Sequence, residues 1–202
     1  MAIKPILFNT DMVRAILDGR KSCTRRINKD ANDYVVPDMD FYDSDKRTYA
    51  VHNYANKEHT DKLSIAERTC PICPGDILYI RETWYKDKYR YMYRANYSDS
   101  EKFYRDGKEV KIKWHPSIRM PKEAARIWLK VTDVRVERLQ DMTDDDAEAE
   151  GCFDYTSTAL GFPDVWDSTI KKSDLDSCGW TANPWVWVIE FERCEKPEGK
   201  NC

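Results

Sequence analysis

The most restrictive feature of this sequence is the form of its apolar segments. They are brief, mostly strand-like runs parted by turn signals, and only two short stretches carry helical spacing. Ile3 to Phe8, Ile77 to Trp84 and Ile127 to Val136 read as strands. Pro184 opens a last strand, Trp185-Val186-Trp187-Val188-Ile189-Glu190-Phe191, whose apolar run implies burial on both faces over part of its length. Met12, Val13, Ile16 and Leu17 recur at helical spacing after a capping Asn9 or Thr10, and Gly19 suits the left-handed residue that ends such a helix. Thr143-Asp144-Asp145-Asp146 is a second capping signature, with acids where the helix dipole favours them, and that helix ends at Gly151. Several strands, two short helices and long connections argue for a small barrel rather than a stack of βαβ units.

The 202 residues, 41% of them hydrophobic, suit one domain with a real core. That domain is expected over 1–194. Irregular surface excursions are expected near 28–69, 86–113 and 152–180, with a disordered tail over 195–202. Pro74-Gly75-Asp76 turns the chain into the strand at Ile77, and Asp106-Gly107 marks a hairpin turn within the second excursion. No apolar window approaches the ~18 residues of a membrane span, and Met1-Ala2-Ile3-Lys4-Pro5 lacks the apolar core of a signal peptide, so a cytoplasmic protein with no membrane partner is expected.

The net charge of −3 conceals an asymmetry. Residues 84–130 hold thirteen Lys/Arg against six Asp/Glu, together with ten aromatics, whereas residues 141–180 hold two against eleven. Cations draw phosphates and aromatic faces stack bases, which points to RNA or a nucleoside as ligand; equally, the aromatics are core and the charges a solvated face. Seven cysteines, an odd number without the spacing of a small secreted framework, imply reduced thiols. Cys70 and Cys73 form the one C-x-x-C, but a closed zinc site needs four ligands, and Cys152, Cys178, His52 and His59 add no metal-like spacing. No metal and no organic cofactor is expected. The sequence leaves the oligomeric state open.

Five segments, in order, resemble the ASCH family of PUA-like proteins. Gly19-Arg20-Lys21-Ser22-Cys23-Thr24-Arg25-Arg26 looks like its G-x-K-x-x-T-x-R signature after a short helix. Pro74-Gly75-Asp76 leads into a strand, Arg135-Val136-Glu137-Arg138-Leu139-Gln140 ends the next, Ala147-Glu148-Ala149-Glu150-Gly151 matches an A-x-x-E-G helix end, and Trp187-Val188-Ile189-Glu190-Phe191 resembles the closing strand. Arg81-Glu82-Thr83-Trp84 and Pro116-Ser117-Ile118-Arg119-Met120-Pro121 are similar to the long version found in phage and prophage genes. The resemblance covers most of the chain outside the three excursions. It implies an α+β fold, a PUA-like (ASCH) mixed β-barrel with short flanking helices and long loop insertions. It also implies the chemistry of the family's bacterial N4-acetylcytidine amidohydrolase, with the catalytic roles falling on Lys21, Thr24 and Glu150 and the motif arginine on Arg26.

The residue types fit that chemistry. Amide hydrolysis needs a nucleophile, a proton acceptor and a way to deliver water. A threonine hydroxyl is inert until a base takes its proton, and a lysine serves as that base when burial or a nearby cation lowers its pKa. Arg20, Arg25 and Arg26 supply the cations, and Glu150 can activate water or carry a proton to the leaving amine. A carboxylate at the negative end of its helix is disfavoured by roughly 0.3–1 kcal/mol when exposed, a cost that a compensating cation such as Lys21 would offset. The plainer readings are a lysine facing helix carbonyls, a strand-forming threonine and a surface glutamate. In a regular strand, positions 21 and 24 would point to opposite faces, so the chain must turn between them. Glu82 and Trp84 alternate onto one strand face, where they either line the cleft and bind a base or belong to the core. Arg119 and Arg126 either meet phosphate or are surface charges. Two rival activities remain, a non-catalytic module that binds RNA or a modified base, and an ASCH-type ribonuclease.

Overall fold

The computed structural model describes residues 1–105, 107–152 and 158–198. In chain order its strands and helices are β1 (Ile3–Leu7), α1 (Thr10–Leu17), β2 (Cys23–Ile27), β3 (Val35–Asp43), β4 (Thr48–Tyr54), β5 (Lys62–Thr69), β6 (Ile77–Arg81), β7 (Trp84–Lys86), β8 (Tyr91–Tyr93), β9 (Phe103–Arg105), β10 (Lys108–Val110), β11 (Trp128–Arg138), α2 (Asp144–Ala149), α3 (Thr158–Thr169), α4 (Leu175–Cys178) and β12 (Trp185–Cys194). The chain divides into two compact units. One comprises Met1–Lys21, Gly75–Lys130 and the described residues from Glu192; the other comprises Ser22–Pro74 and Val131–Phe191.

In the first unit, β1 runs parallel to β6, from Ile3 opposite Ile77 to Leu7 opposite Arg81. The other edge of β6 pairs antiparallel with the opening residues of β11, Trp128 to Lys130. The Asn9 side chain accepts from the Met12 N–H and so caps α1, which buries Val13, Ala15 and Ile16. Gly19, at φ +76°, lets the chain leave that helix in the left-handed conformation. Ile77, Met120, Ala124, Ala125 and Trp128 form an apolar cluster against which Tyr79, Trp84, Tyr91 and Tyr93 pack. Two hairpins, β7–β8 and β9–β10, complete the unit.

In the second unit the strand order β11-β12-β2 forms one layer and β3-β4-β5 a separate antiparallel sheet. Cys23, Val186 and Val188 of the first layer pack with Leu139, Cys152, Phe162 and Trp166 into one core. The Thr143 side chain accepts from the Asp146 N–H while the Asp146 side chain accepts from the Thr143 N–H, a complete capping box at the start of α2. The final strand, β12, buries the consecutive residues Val186, Trp187, Val188 and Ile189, the two-faced burial its composition implies.

The mixed content with few, short helices agrees with the sequence; closure does not. The strand orders are open, and no sheet among the described residues closes into a barrel. Residues 28–69, expected to be irregular, instead carry the sheet β3-β4-β5. Its alternation is masked by Asp38, Asp40, His52 and Asn53, because only Tyr49, Ala50 and Val51 of β4 are buried. Residues 152–180, also read as irregular, hold α3 and α4; Gly161 and Pro163 act as breakers in the sequence yet lie inside α3. The strand expected through Trp84 breaks after Arg81, and Trp84 starts β7. Of the hairpin dipeptide, Asp106 lies outside the described residues and Gly107 has φ +76°. Residues 195–198 have no regular structure, and the rest of the expected tail lies outside the described residues. Among the described residues no helix is long and apolar enough to cross a membrane.

Candidate functional site

Strand alternation in β2 sorts the motif residues onto two faces. In the pairing with β12, Cys23 lies opposite Glu190, Thr24 opposite Ile189, Arg25 opposite Val188, Arg26 opposite Trp187 and Ile27 opposite Val186. Directly opposed residues share a face, so Cys23 and Arg25 look toward the core with Val186 and Val188, while Thr24 and Arg26 share the other face with Trp187 and Ile189.

On the core face, the Arg25 side chain is wholly excluded from solvent and meets three carboxylates: Glu137 at 2.7 Å, Asp146 at 3.2 Å and Glu150 at 3.5 Å. Arg135 extends the group, pairing with Asp146 at 3.1 Å, with Glu137 at 3.2 Å and with Glu190. Burial works against the charge of Arg25, but Glu150 foremost, then Cys23 and Glu137, outweigh it and hold the guanidinium above its ordinary pKa. Asp146 is likewise held below the carboxylate range: burial pushes it up, and hydrogen bonds from the Thr143 N–H and hydroxyl, with the Arg25 charge, prevail.

Glu150 reaches this cluster because it is the C-cap of α2, where Gly151, at φ +88°, ends the helix. The Ser22 N–H donates to the Ala149 carbonyl at 2.9 Å and so ties the helix end to the approach to β2. Only 7% of Glu150 remains exposed, which removes the surface-glutamate reading.

On the opposite face, Thr24 is fully buried at 0% exposure, and its hydroxyl accepts from Arg26 Nη1 at 2.7 Å. The same nitrogen donates to the Arg25 carbonyl at 2.9 Å. Burial lowers the Arg26 pKa and the Glu150 carboxylate opposes that shift, so Glu150 acts on both neighbouring guanidiniums. Arg26 also lines a pocket of about 320 Å³ together with Ile27, Lys29, Asp30, Pro71, Ile72, Trp187 and Ile189. Trp187 is fixed there by an edge-on contact with Tyr49 at 5.0 Å between ring centroids.

Lys21 is the last residue of the first segment of the first unit. It is buried, its ammonium lies 5.6 Å from the centre of the Phe8 ring, and its N–H donates to the Ala15 carbonyl at 3.1 Å. Because β2 begins only at Cys23, strand alternation does not extend back to Lys21.

The remaining candidates lie in the first unit. Glu82, 1% exposed, receives two hydrogen bonds from Arg126, at 2.8 and 2.9 Å. Arg126 also reaches Asn96 at 2.8 Å and stacks 4.2 Å from the Tyr93 ring centre. Both side chains are thus engaged within the protein, and Glu82 and Trp84 do not share a strand face because the strand breaks between them. Trp84 packs on the apolar cluster, with its buried Nε1–H unpaired among the described residues. Arg119 is exposed. Several cations of the basic window cover the aromatics that were candidates for base stacking, Lys86 over Tyr91 at 4.8 Å and Arg94 over Trp114 at 5.9 Å.

The two cysteines of the C-x-x-C are buried. The Cys70 thiol donates to the Ile72 carbonyl at 2.8 Å, and burial, then the neighbouring Cys73, push its pKa up to about 12. No group of three or more His, Cys, Asp or Glu residues able to hold a metal occurs among the described residues.

Sequence reasoning missed Arg25 as the partner of Glu150, Glu137 and Asp146 as the other carboxylates around Arg25, and Trp187 and Ile72 as pocket walls. Alternation in β2 held the signal for Arg25: a charged residue between Cys23 and Ile27 on a core-facing set must bring counter-charges with it.

No family model matches the chain, and no curated protein does. Among solved structures, the chain is similar to the high-resolution crystal structure of an ASCH domain from Lactobacillus crispatus JV V101. The two are 11% identical, the match covers 95% of this chain and 79% of that one, and the TM-score is 0.44.

Proposed function

We propose that this chain is an ASCH-type amidohydrolase that removes an acyl group from an N-acylated nucleoside or RNA base of the N4-acetylcytidine kind. The observation that carries the reading is the 2.7 Å hydrogen bond from Arg26 to the Thr24 hydroxyl on the pocket face of β2, with Glu150 acting on the same guanidinium. A cation donating to a buried hydroxyl favours its deprotonated form and stabilises the negative charge that develops at the adjoining acyl oxygen.

In this reading the Thr24 oxygen attacks the acyl carbon. Its proton passes to Lys21, a role that rests on the motif alone, and on to the departing amine as the C–N bond breaks. The resulting acyl ester on Thr24 is cleaved by water, which Glu150 deprotonates, a role that likewise rests on the motif, so one water is consumed and one carboxylic acid and one amine are released. The buried Arg25 guanidinium, 3.5 Å from the Glu150 carboxylate, holds it in place for that step.

The test is incubation of the purified protein with N4-acetylcytidine and a panel of acylated nucleosides, beside Thr24→Ala, Lys21→Ala and Glu150→Gln. Turnover that all three changes abolish supports the reading, and turnover that none of them affects defeats it. Absence of turnover with salt-sensitive RNA binding that Arg119→Ala weakens replaces it with a binding module, and cleavage of the RNA chain replaces it with a ribonuclease.

A further inference from the structure

The pocket beside Arg26 is larger than an acetyl group requires and most of its lining is apolar. It is lined by Trp187 and Ile189 of β12, which share a face with Arg26, by Ile27 of β2, whose side chain packs on the core, and by Pro71 and Ile72, the two central residues of the C-x-x-C turn. Its polar groups are Arg26, which touches the Thr24 hydroxyl, and Lys29 and Asp30, both exposed. A base presents hydrogen-bonding groups along its whole edge and would leave most of them facing aliphatic carbon, at a desolvation cost. A hydrocarbon chain would not. A cavity of about 150 Å³ already holds a benzene ring, so some 320 Å³ accommodates considerably more than two carbons.

Resting on the amidohydrolase reading, we infer that this pocket receives the acyl part of the substrate, and that the preferred acyl group is longer than acetyl, on the order of four to eight carbons by the volume argument. The carbonyl end lies toward Arg26 and Thr24, and the hydrocarbon runs along Trp187 and Ile189 to Ile72. The wall that sets the length comes from the Pro71-Ile72 turn, outside the motif segments, so the preference belongs to this chain rather than to the motif. The turn is firmly held, since Cys70 and Cys73 at its ends are buried and the Cys70 thiol bonds back to the Ile72 carbonyl.

The test measures kcat/KM for N4-acetyl-, N4-butyryl- and N4-hexanoylcytidine with the full chain and with Ile72→Trp, which fills the far end. Calorimetric titration with free hexanoate provides a readout independent of turnover. Each buried methylene is worth about fourfold, so the four that separate acetyl from hexanoyl should raise kcat/KM by up to about 250-fold, and Ile72→Trp should shrink that ratio and weaken hexanoate binding. Hydrolysis of the acetyl substrate at a rate equal to or above the hexanoyl one overturns the acyl assignment and leaves the activity standing. Hexanoate binding that Ile72→Trp abolishes, with no amide hydrolysed, keeps the pocket and overturns the amidohydrolase reading. Neither binding nor turnover overturns both.

Discussion

Arg26 Nη1 donates to the Thr24 hydroxyl at 2.7 Å, and the two residues share the face of β2 opposite the one that carries Cys23 and Arg25. The bond ties the only buried hydroxyl of the motif to a guanidinium that also lines the pocket, so the hydroxyl and the cavity are linked through one side chain. The rest of the motif serves a different purpose, since Arg25 turns inward to a cluster of carboxylates.

Removing the donor should therefore impair chemistry more than binding. Arg26→Met is expected to lower kcat on an acylated nucleoside by about a hundredfold or more, the usual cost of deleting a donor aimed at developing charge. KM should change much less. Steady-state kinetics with the folded variant check this, and an unchanged kcat would remove Arg26 from the reaction.

Arg25 should matter for stability. Truncating it takes a buried counter-charge away from Glu150, Glu137 and Asp146, the last two of which keep Arg135, and breaking a buried pair typically costs about 3–5 kcal/mol. Arg25→Met should show a loss of that order in urea unfolding, whereas Thr24→Ala should lose much less. Equal losses would mean that the two faces of β2 are not divided as the pairing indicates.

The sequence showed the elements that bury apolar side chains in a regular pattern. β1, α1, β11, α2 and β12 fall close to where alternation, caps and helical spacing put them, because packing and local preference agree there. It hid the sheet β3-β4-β5, most of whose side chains stay at least partly exposed, and α3, which carries Gly161 and Pro163 in its interior. At the site, the motif singled out Thr24 and Glu150 but gave no sign of the ion cluster. Arg25 and Arg26 look alike in the sequence, and only the register against β12 shows that one faces carboxylates and the other a pocket. Glu82 and Arg126 read as separate cleft residues because nothing in their spacing of 44 positions announces a bidentate pair.

That pair gives a sharp contrast with Arg119. Arg126→Met leaves a fully buried Glu82 carboxylate without its partner and should destabilise the protein by about 3–5 kcal/mol. Arg119→Ala, at an exposed position, should change stability by less than about 0.5 kcal/mol. Thermal or urea unfolding of both variants decides the matter. A loss confined to ligand affinity at Arg126 would restore it as a phosphate contact.

Cys70 should resist alkylation. With its thiol pushed up to about 12 by burial and by Cys73, almost no thiolate exists at neutral pH, and the thiolate is the nucleophile. In the native protein, iodoacetamide at about pH 8 should label half-buried Cys178 and Cys194 well before Cys70. Peptide mass spectrometry over a time course reads the order, and rapid labelling of Cys70 would contradict the burial of the C-x-x-C turn.

Acid should loosen the second unit through Asp146. Its carboxyl is held below the ordinary value of 3.8, chiefly by the Thr143 N–H and hydroxyl and by Arg25, against the opposing effect of burial. A carboxylate with a depressed folded-state pKa binds its proton less readily when folded, so the unfolded chain takes up protons first as the pH falls. The stabilisation is thus complete above the unfolded value and is lost as the pH falls through the lower folded value. Asp146→Asn, which cannot ionise, should melt below the wild type at neutral pH, and the gap in Tm should narrow steadily below about pH 4. A gap that stays constant down to pH 2 would show that the charge of Asp146 contributes nothing beyond the geometry of the capping box.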